Sequence, residues 1–164
     1  MGAALRFTMA STFDEICTFE VLYRAYLTAR RGKRKKLSTA QYEVNALLLT
    51  ERLSYILRTE TYIPSKFETF FVYEPKKRLV QAPAFVDKVV QHGLVDNYLY
   101  EVITRSFIPA NCASQIGKGV LFGLNCLKWD MSDYWRKNKT TEGWVLKADV
   151  RHFFASIDHD ILKA

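Results

Sequence analysis

The sequence predicts an α+β fold that is mainly helical, with one β-hairpin and one further strand. Apolar residues recur at steps of four and three over most of the 164 residues, which is the spacing of helices with one buried face. Two stretches change to a period of two, over residues 67–82 and 144–150, and this period is typical of strands. Because 49% of the residues are hydrophobic, the chain has enough apolar side chains for a packed core.

A first helix is expected from residue 11 or 12 onward. Ser11 and Thr12 can each accept a hydrogen bond from the free amides at a helix start, and Phe19, Leu22 and Tyr26 follow at helical spacing. The helix is expected to end at a basic run, which either forms a solvated loop or contacts a phosphate backbone. The cations of that run are Arg30, Arg31, Lys33, Arg34, Lys35 and Lys36.

A second amphipathic helix is expected to begin at a capping box formed by Ser38 and Gln41. Its apolar positions extend to Ile56, and Pro64 lies beyond its end because proline cannot continue a helix. No residues with evident chemistry lie on this helix, so we interpret it as a packing element.

Aromatic and β-branched residues at a period of two predict a hairpin, with one strand over residues 67–74 and a return strand over residues 78–82. The turn and the return strand carry Lys76, Lys77 and Arg78. Three cations on a rigid ribbon either serve solubility alone or hold a triphosphate or a nucleic-acid strand.

The return strand ends at Pro83, and a helix is expected from about residue 86 to residue 104. Val86, Val90 and Leu94 share one face of this helix at steps of four. His92 lies in the same helix without a partner at metal-ligand spacing, so we interpret it as a structural histidine.

An irregular loop is expected over residues 106–119, ending in Gly-Lys-Gly. Glycines on both sides of Lys118 allow backbone amides and one ammonium group to approach a phosphate, although the upstream glycine of a P-loop is absent. The next helix is expected to begin at Val120, and its apolar positions reach Tyr134 at the same steps of four and three.

The last predicted strand covers residues 144–150. Trp144 and Leu146 share one face of it, and Asp149 lies on the other. A carboxylate at the end of a rigid strand, with the aromatic residues Phe153 and Phe154 a few positions later, is suited to metal-assisted phosphoryl transfer. The alternative is that Asp149 caps a helix or lies in a solvated loop.

The charge of the chain favours a polyanionic partner. A net charge of +7 and a pI near 9.3 indicate nucleic acid first and an anionic membrane surface second. No apolar run approaches the length of a membrane span and no signal peptide is recognisable, so a cytoplasmic location is expected. The three cysteines lack C-x-x-C spacing, which indicates neither a disulfide framework nor a zinc site.

Three segments resemble, in order, conserved blocks of group II intron-type reverse transcriptases. Residues 77–91 contain an arginine, a proline five residues later, and the run Asp-Lys-Val-Val-Gln. Residues 107–119 form a loop that ends in Gly-Lys-Gly, and residues 147–159 contain Ala-Asp, a Phe-Phe pair and Ile-Asp-His. Residues 57–73 are similar to the segment that precedes these blocks. Three blocks in the right order are far more specific than any one of them.

The resemblance implies a right-hand polymerase. Residues 11–143 would be its fingers subdomain with an N-terminal helical extension, and residues 144–164 would be the start of the palm. Residues 1–10 show no clear period, so a disordered leader or a cloning remnant is expected there. The implied activity is RNA-directed DNA polymerisation by two-metal nucleotidyl transfer in the bacterial cytoplasm. Two Mg²⁺ ions are the implied cofactors, and the implied partners are RNA template, primer and dNTP, with intron or other retroelement RNA as a further candidate.

The resemblance also assigns roles to individual positions. Asp149 matches the first metal-binding aspartate, with the Val150 carbonyl beside it, and Phe154 matches the aromatic residue that excludes a ribose 2′-hydroxyl. Cations near the incoming triphosphate and the template are matched by Lys77, Arg78 and Lys88. Contacts to nucleic acid are matched by Lys118 and by Gln115, which stands where many members have arginine.

One aspartate cannot hold two Mg²⁺ ions. The family supplies the remaining carboxylates from a Tyr-x-Asp-Asp turn, and no such sequence occurs in these 164 residues. The chain is therefore expected to be an N-terminal fragment that is inactive alone and whose unpaired strand edge favours self-association. Two alternatives remain open: a reverse-transcriptase relative that does not polymerise, such as an intron maturase or a phage-defence protein, and an unrelated basic RNA-binding module.

Overall fold

The computed structural model describes residues 12–163, and within them the α+β prediction is confirmed. Helices account for most of the regular structure, and the sheet consists of two antiparallel strands. The chain divides into a first unit that ends at Ile108 and a second unit that begins at Pro109. The leader expected over residues 1–10 and the cap expected at Ser11 lie outside the described residues.

The first predicted helix is interrupted after one turn. α1 spans Phe13–Ile16, and Thr12 caps it by accepting a hydrogen bond from the Glu15 amide at 3.4 Å. Thr18 has an extended backbone and donates its hydroxyl to the Glu15 carbonyl at 2.8 Å, so the helix restarts as α2, which spans Phe19–Ala29. A side chain that binds a nearby carbonyl thus divides one apolar stripe between two helices.

The second predicted helix is also divided. α3 spans Leu37–Val44 and α4 spans Ala46–Arg58, with a break at Asn45, whose φ of −121° is not helical. The capping box predicted at Ser38 is wrong, because α3 begins at Leu37 and Ser38 lies inside the helix. Lys36 occupies the cap position without a side-chain hydrogen bond. α3 thus begins without a side-chain cap, and its buried residues are Thr39 and Tyr42.

The predicted hairpin is confirmed. β1 spans Glu68–Val72 and β2 spans Arg78–Ala82, in an antiparallel register that places Val72 opposite Arg78. No residue of either strand is buried, so both faces of the ribbon are accessible. A two-stranded ribbon of this kind is marginally stable by itself, and its attachment to the helices therefore matters.

The helix predicted over residues 86–104 is continuous but not uniform. Its three parts are α5 (Phe85–Leu94), a π-helical turn (Val95–Leu99) and α6 (Tyr100–Thr104). The predicted buried face is one residue out of step, because Phe85, Val89 and Gly93 are buried whereas Val86 and Val90 are only partly buried. The true face repeats at the same steps of four, and packing against α2 selects it.

The core of the first unit lies between α2, α4 and α5. Gly93 permits the close approach of α2 to α5, because a Cβ atom at that position would lie 3.3 Å from Leu22 Cδ2. The buried Ser54 hydroxyl donates to the Cys17 carbonyl at 2.5 Å, which satisfies both groups. The buried apolar side chains that contact one another in this core are Cys17, Leu22, Ala25, Tyr26, Ala29, Tyr42, Ala46, Leu53, Leu57, Phe85 and Val89.

The second unit contains α7 (Val120–Asn138), a 3-10 turn (Phe153–Ser156) and α8 (His159–Lys163). Lys139 follows α7 with a left-handed φ of 55°, and the Tyr134 hydroxyl donates to the Glu142 carbonyl at 2.9 Å. No side chain described in this unit is buried. In residues 12–163 no helix combines the length and the apolar character that crossing a bilayer requires.

The strand predicted over residues 144–150, which would have been the first palm strand, is wrong. This segment has no regular secondary structure, and the side chains of Trp144 and Leu146 are almost completely exposed. Alternating apolar residues form a strand when a neighbouring strand supplies hydrogen-bond partners. Within residues 12–163 the two strands, β1 and β2, pair with each other, so this segment has no partner there.

Candidate nucleic-acid interface

The hairpin presents two of the predicted nucleotide contacts at its turn. Arg78 begins β2, and Lys77 lies directly before it. The Lys77 ammonium lies 5.0 Å from the centre of the Phe71 ring and 5.9 Å from that of Tyr73, and all four side chains are exposed. Aromatic faces beside a cation can stack bases while the cation neutralises a phosphate. The hairpin therefore has the side chains of a nucleic-acid contact.

Lys88, the third predicted cation near the triphosphate, lies in the first half of α5 and is partly exposed. Its ammonium forms no ion pair within residues 12–163. One turn further along, His92 Nδ1 lies 3.1 Å from Asp96 Oδ2, which agrees with the structural role predicted for His92. Lys88 therefore keeps a free charge on the helix that follows the hairpin.

Two arginines of the basic run are engaged inside the first unit. Arg30 donates to Glu43 Oε1 at 2.5 Å and to the Tyr26 hydroxyl at 3.2 Å. Arg34 donates to both oxygens of Glu43, at 2.6 Å and 3.2 Å. The hydrogen bond from Arg34 holds the pKa of Glu43 below its ordinary value, and the charges of both arginines add to this effect. Arg30 and Arg34 thus join the basic run to α3.

The remaining cations of the basic run are exposed. In the described part of the chain none of them forms an ion pair, and Gly32, with a φ of +67°, turns the backbone between them. Such a loop can neutralise a phosphate backbone without first breaking contacts of its own. These cations are Arg31, Lys33, Lys35 and Lys36.

The loop that precedes α7 uses both of its predicted contacts to hold itself together. The Lys118 ammonium donates to the Pro109 carbonyl at 3.2 Å and lies 5.3 Å from the centre of the Phe122 ring. The Gln115 amide donates to the Asn111 carbonyl at 2.7 Å. A carbonyl and an aromatic ring do not neutralise the Lys118 charge, so Lys118 can still attract a phosphate. Gln115 carries no charge and does not attract a phosphate.

The residues predicted for the metal and the sugar contacts lie in the exposed tail of the second unit. Asp149 is exposed and makes no hydrogen bond or ion pair to any residue between 12 and 163. Val150 is 62% exposed and Phe154 is 84% exposed, with the rings of Phe153 and Phe154 in edge contact at 5.2 Å. Because the expected strand is not formed, no regular element fixes the Asp149 carboxylate.

The described residues do not fit a complete magnesium site. No group of three or more His, Cys, Asp or Glu side chains in residues 12–163 could hold a metal ion. Magnesium prefers near-octahedral coordination by about six oxygen ligands. The Asp149 carboxylate and the Val150 carbonyl are only two ligand groups. Further along the sequence, the Asp158 carboxylate accepts hydrogen bonds from the Asp160 and Ile161 amides at 2.9 Å and 3.2 Å, directly before α8. The two expected ions would need ligands from elsewhere.

Two acidic residues hold these elements together, although the sequence alone assigned neither of them a role. Glu43 gathers two arginines across nine and thirteen positions, and no local pattern reveals a pairing over such separations. Asp87 is 4% exposed and accepts a hydrogen bond from the Tyr62 hydroxyl at 2.5 Å. Asp87 did carry a signal, because a charged residue between apolar positions of a buried helix requires a partner.

Comparison with models of known protein families gives no match, and comparison with curated protein sequences gives none either. Function is therefore inferred from the residues of the chain and from their geometry.

Proposed function

We propose that this chain is the fingers subdomain and the beginning of the palm of a group II intron-type RNA-directed DNA polymerase of the bacterial cytoplasm. The observation that carries the proposal is the order of three sequence blocks, at residues 77–91, 107–119 and 147–159. Chance matches to single blocks are common, whereas three in sequence along one chain are not. The proposed partners are RNA template, primer and dNTP, with intron or other retroelement RNA beside them.

The geometry of the first unit supports a nucleic-acid contact. Lys77 and Arg78, the cations of the first block, stand on an accessible ribbon beside exposed aromatic rings. The unpaired cations of the basic loop add sites for phosphate. A net charge of +7 draws a polyanion toward all of these groups.

The second unit supports a divided active site. Residues 144–150 alternate apolar and polar side chains in sequence, and the apolar ones are exposed, so this segment has apolar surface that further structure could cover. We propose that this segment contacts the remainder of the palm, and that this contact brings Asp149 to the other ligands of two Mg²⁺ ions. The chain alone would then have no polymerase activity.

Primer extension by the complete polymerase tests the proposal. Asp149→Ala should abolish extension of a DNA primer on an RNA template, because the variant lacks one of the metal ligands. Asp160→Ala is the matched control, since Asp160 is another exposed carboxylate of the second unit and has no assigned role. Extension that survives Asp149→Ala would overturn the proposal.

RNA binding by the chain alone tests the interface separately. If the four unpaired cations of the basic loop each neutralise one phosphate, affinity for single-stranded RNA should fall about 50-fold between 50 mM and 200 mM salt. Replacing Lys33, Lys35 and Lys36 by alanine should flatten this dependence. Lys137→Ala should leave it unchanged, because Lys137 is already paired with Asp133 at 2.7 Å. An affinity that is insensitive to salt would remove the interface.

The alternative function is RNA binding without polymerisation, in an intron maturase, a phage-defence protein or an unrelated RNA-binding module. The observation that favours it is that the cations are exposed whereas residues 12–163 form no metal-binding cluster. It predicts strong salt-dependent RNA binding together with no magnesium-dependent primer extension by the complete protein.

A further inference from the structure

The orientation of the hairpin is not set by burial of its strands. All residues of β1 and β2 are exposed or partly exposed, so the ribbon has little apolar surface packed on the core. Lys77 and Arg78 hold defined places within the ribbon, by contact with aromatic rings and by strand pairing. Where they lie relative to the helices depends on the two ends of the ribbon.

A single carboxylate connects those two ends. Asp87 lies in the first turn of α5, which begins three residues after β2. It accepts hydrogen bonds from the Tyr62 hydroxyl at 2.5 Å, the Ser65 amide at 3.1 Å and the Ser65 hydroxyl at 3.4 Å. Tyr62 and Ser65 belong to the segment that leads into β1. The chain entering the ribbon is thus tied to the helix that leaves it.

The surroundings of Asp87 favour stable hydrogen bonds to Tyr62 and Ser65. Its side chain is almost fully buried, and no arginine or lysine between residues 12 and 163 forms an ion pair with it. Three donors and the positive end of α5 offset the cost of burying the carboxylate. Burial raises the pKa of the Tyr62 hydroxyl, and the hydrogen bond to Asp87 raises it further, so Tyr62 remains a donor throughout the physiological range.

We propose that Asp87 is a positioning residue: it fixes the hairpin, and with it Lys77 and Arg78, relative to the helical core. The orientation follows from the hydrogen bonds alone, whereas the consequence for nucleic acid rests on the proposed function. The two parts are separable by experiment.

Residual dipolar couplings measured by NMR on the whole chain test the orientation. In the unmodified chain, the amides of β1 and β2 should fit the same alignment as α2, α4 and α5. In Asp87→Asn the couplings of the hairpin should shrink by about half through reorientation while those of the helices stay the same. Ser54→Ala, which removes a buried hydroxyl from the core away from the hairpin, should leave both sets unchanged.

A milder variant protects the test against misfolding. Tyr62→Phe removes one of the three donors and keeps the ring, so it should fold and should reduce the hairpin couplings in the same direction. Hairpin couplings that remain at their original values in Asp87→Asn, or in Tyr62→Phe if the former does not fold, would overturn the proposal.

Binding of a single-stranded oligouridine RNA tests the consequence. Asp87→Asn makes the chain more positive, so charge alone predicts tighter binding, whereas loss of positioning predicts binding about threefold weaker. Lys77→Ala with Arg78→Ala should weaken binding as well, and adding Asp87→Asn to that pair should cost nothing further. A loosened hairpin with unchanged or tighter RNA binding would refute the role of the hairpin in RNA binding and leave Asp87 as its anchor.

Discussion

The two units of the chain differ in how their apolar residues are used. In the first unit, leucines, tyrosines and valines spaced for helices meet in a core from which water is excluded. In the second unit, α7 has the same spacing, yet Leu124, Leu127 and Met131 are 57%, 52% and 64% exposed. The difference shows that an amphipathic pattern specifies a face, and that only a partner buries it.

The two units also differ in the sequence separation of the residues that their polar contacts join. In the first unit Glu43, Asp87 and Ser54 each join elements that are distant in sequence. In the second unit, hydrogen bonds and ion pairs such as that between Lys137 and Asp133 connect residues close in sequence. Local contacts of this kind contribute a few tenths of a kcal/mol each. The first unit can therefore be cooperative by itself, whereas the described contacts within the second unit supply little cooperativity.

The largest expected difference between the units is the effect of truncating a leucine. Leu22 is fully buried, so Leu22→Ala should lower the free energy of unfolding by about 2–5 kcal/mol. Leu127→Ala on α7 should change it by no more than about 0.5 kcal/mol. Urea unfolding followed by tyrosine near-UV circular dichroism measures the first unit. Equal decreases in the free energy of unfolding for the two variants would contradict the difference in packing between the units.

A smaller effect is expected from the ion-pair cluster around Glu43. Because Arg34 lowers the pKa of Glu43 in the folded chain, the stabilisation is present above the unfolded pKa of about 4.3 and is lost as pH falls through the folded value. Glu43→Gln should therefore lower the urea midpoint at pH 7 and have little effect at pH 3. A difference that persists unchanged at pH 3 would show that charge is not the cause.

Tyr62 should produce the opposite pH dependence. Its pKa is raised in the folded chain, so its contribution is complete below the unfolded pKa of about 10 and decreases as pH rises toward the folded value. Unfolding midpoints from pH 8 to pH 11 should therefore fall less steeply for Tyr62→Phe than for the unmodified chain. Parallel curves would mean that Tyr62 is not held protonated by its surroundings.

The smallest effect is expected at Asp149. Its carboxylate is exposed and has no partner among residues 12–163, so Asp149→Asn should change the free energy of unfolding by less than about 0.5 kcal/mol. Thermal unfolding of the two chains side by side gives the comparison. A clear destabilisation would place Asp149 in a structural role within this chain and weaken its assignment as a metal ligand.

The sequence predicted those elements that nearby residues determine. The hairpin followed from a period of two and a turn between two short strands, and the long helix before Thr104 followed from its apolar spacing. The breaks at Thr18 and Asn45 were missed because they depend on single residues within an otherwise helical pattern. The buried face of α5 was misplaced by one residue because Phe85 was left out of the apolar repeat.

The candidate site was predictable in composition but not in geometry. Its cations were visible in the sequence, yet the engagement of Arg30 and Arg34 by Glu43 depends on how α3 packs. The strand at residues 144–150 was predicted from a genuine alternation of apolar residues. Such an alternation indicates which side chains would face a core if a strand formed. It does not indicate whether a neighbouring strand is present to pair with, and a sheet requires one.

Hydrogen–deuterium exchange of the whole chain tests most directly the claim that a core of its own stabilises the first unit and that no such core stabilises the second unit. Amides of α2 and α5 should exchange only through global unfolding, at least about 100-fold more slowly than those of α7. Residues 144–150 should exchange as fast as an unstructured peptide. Protection of α7 and of residues 144–150 equal to that of α2 would contradict the account.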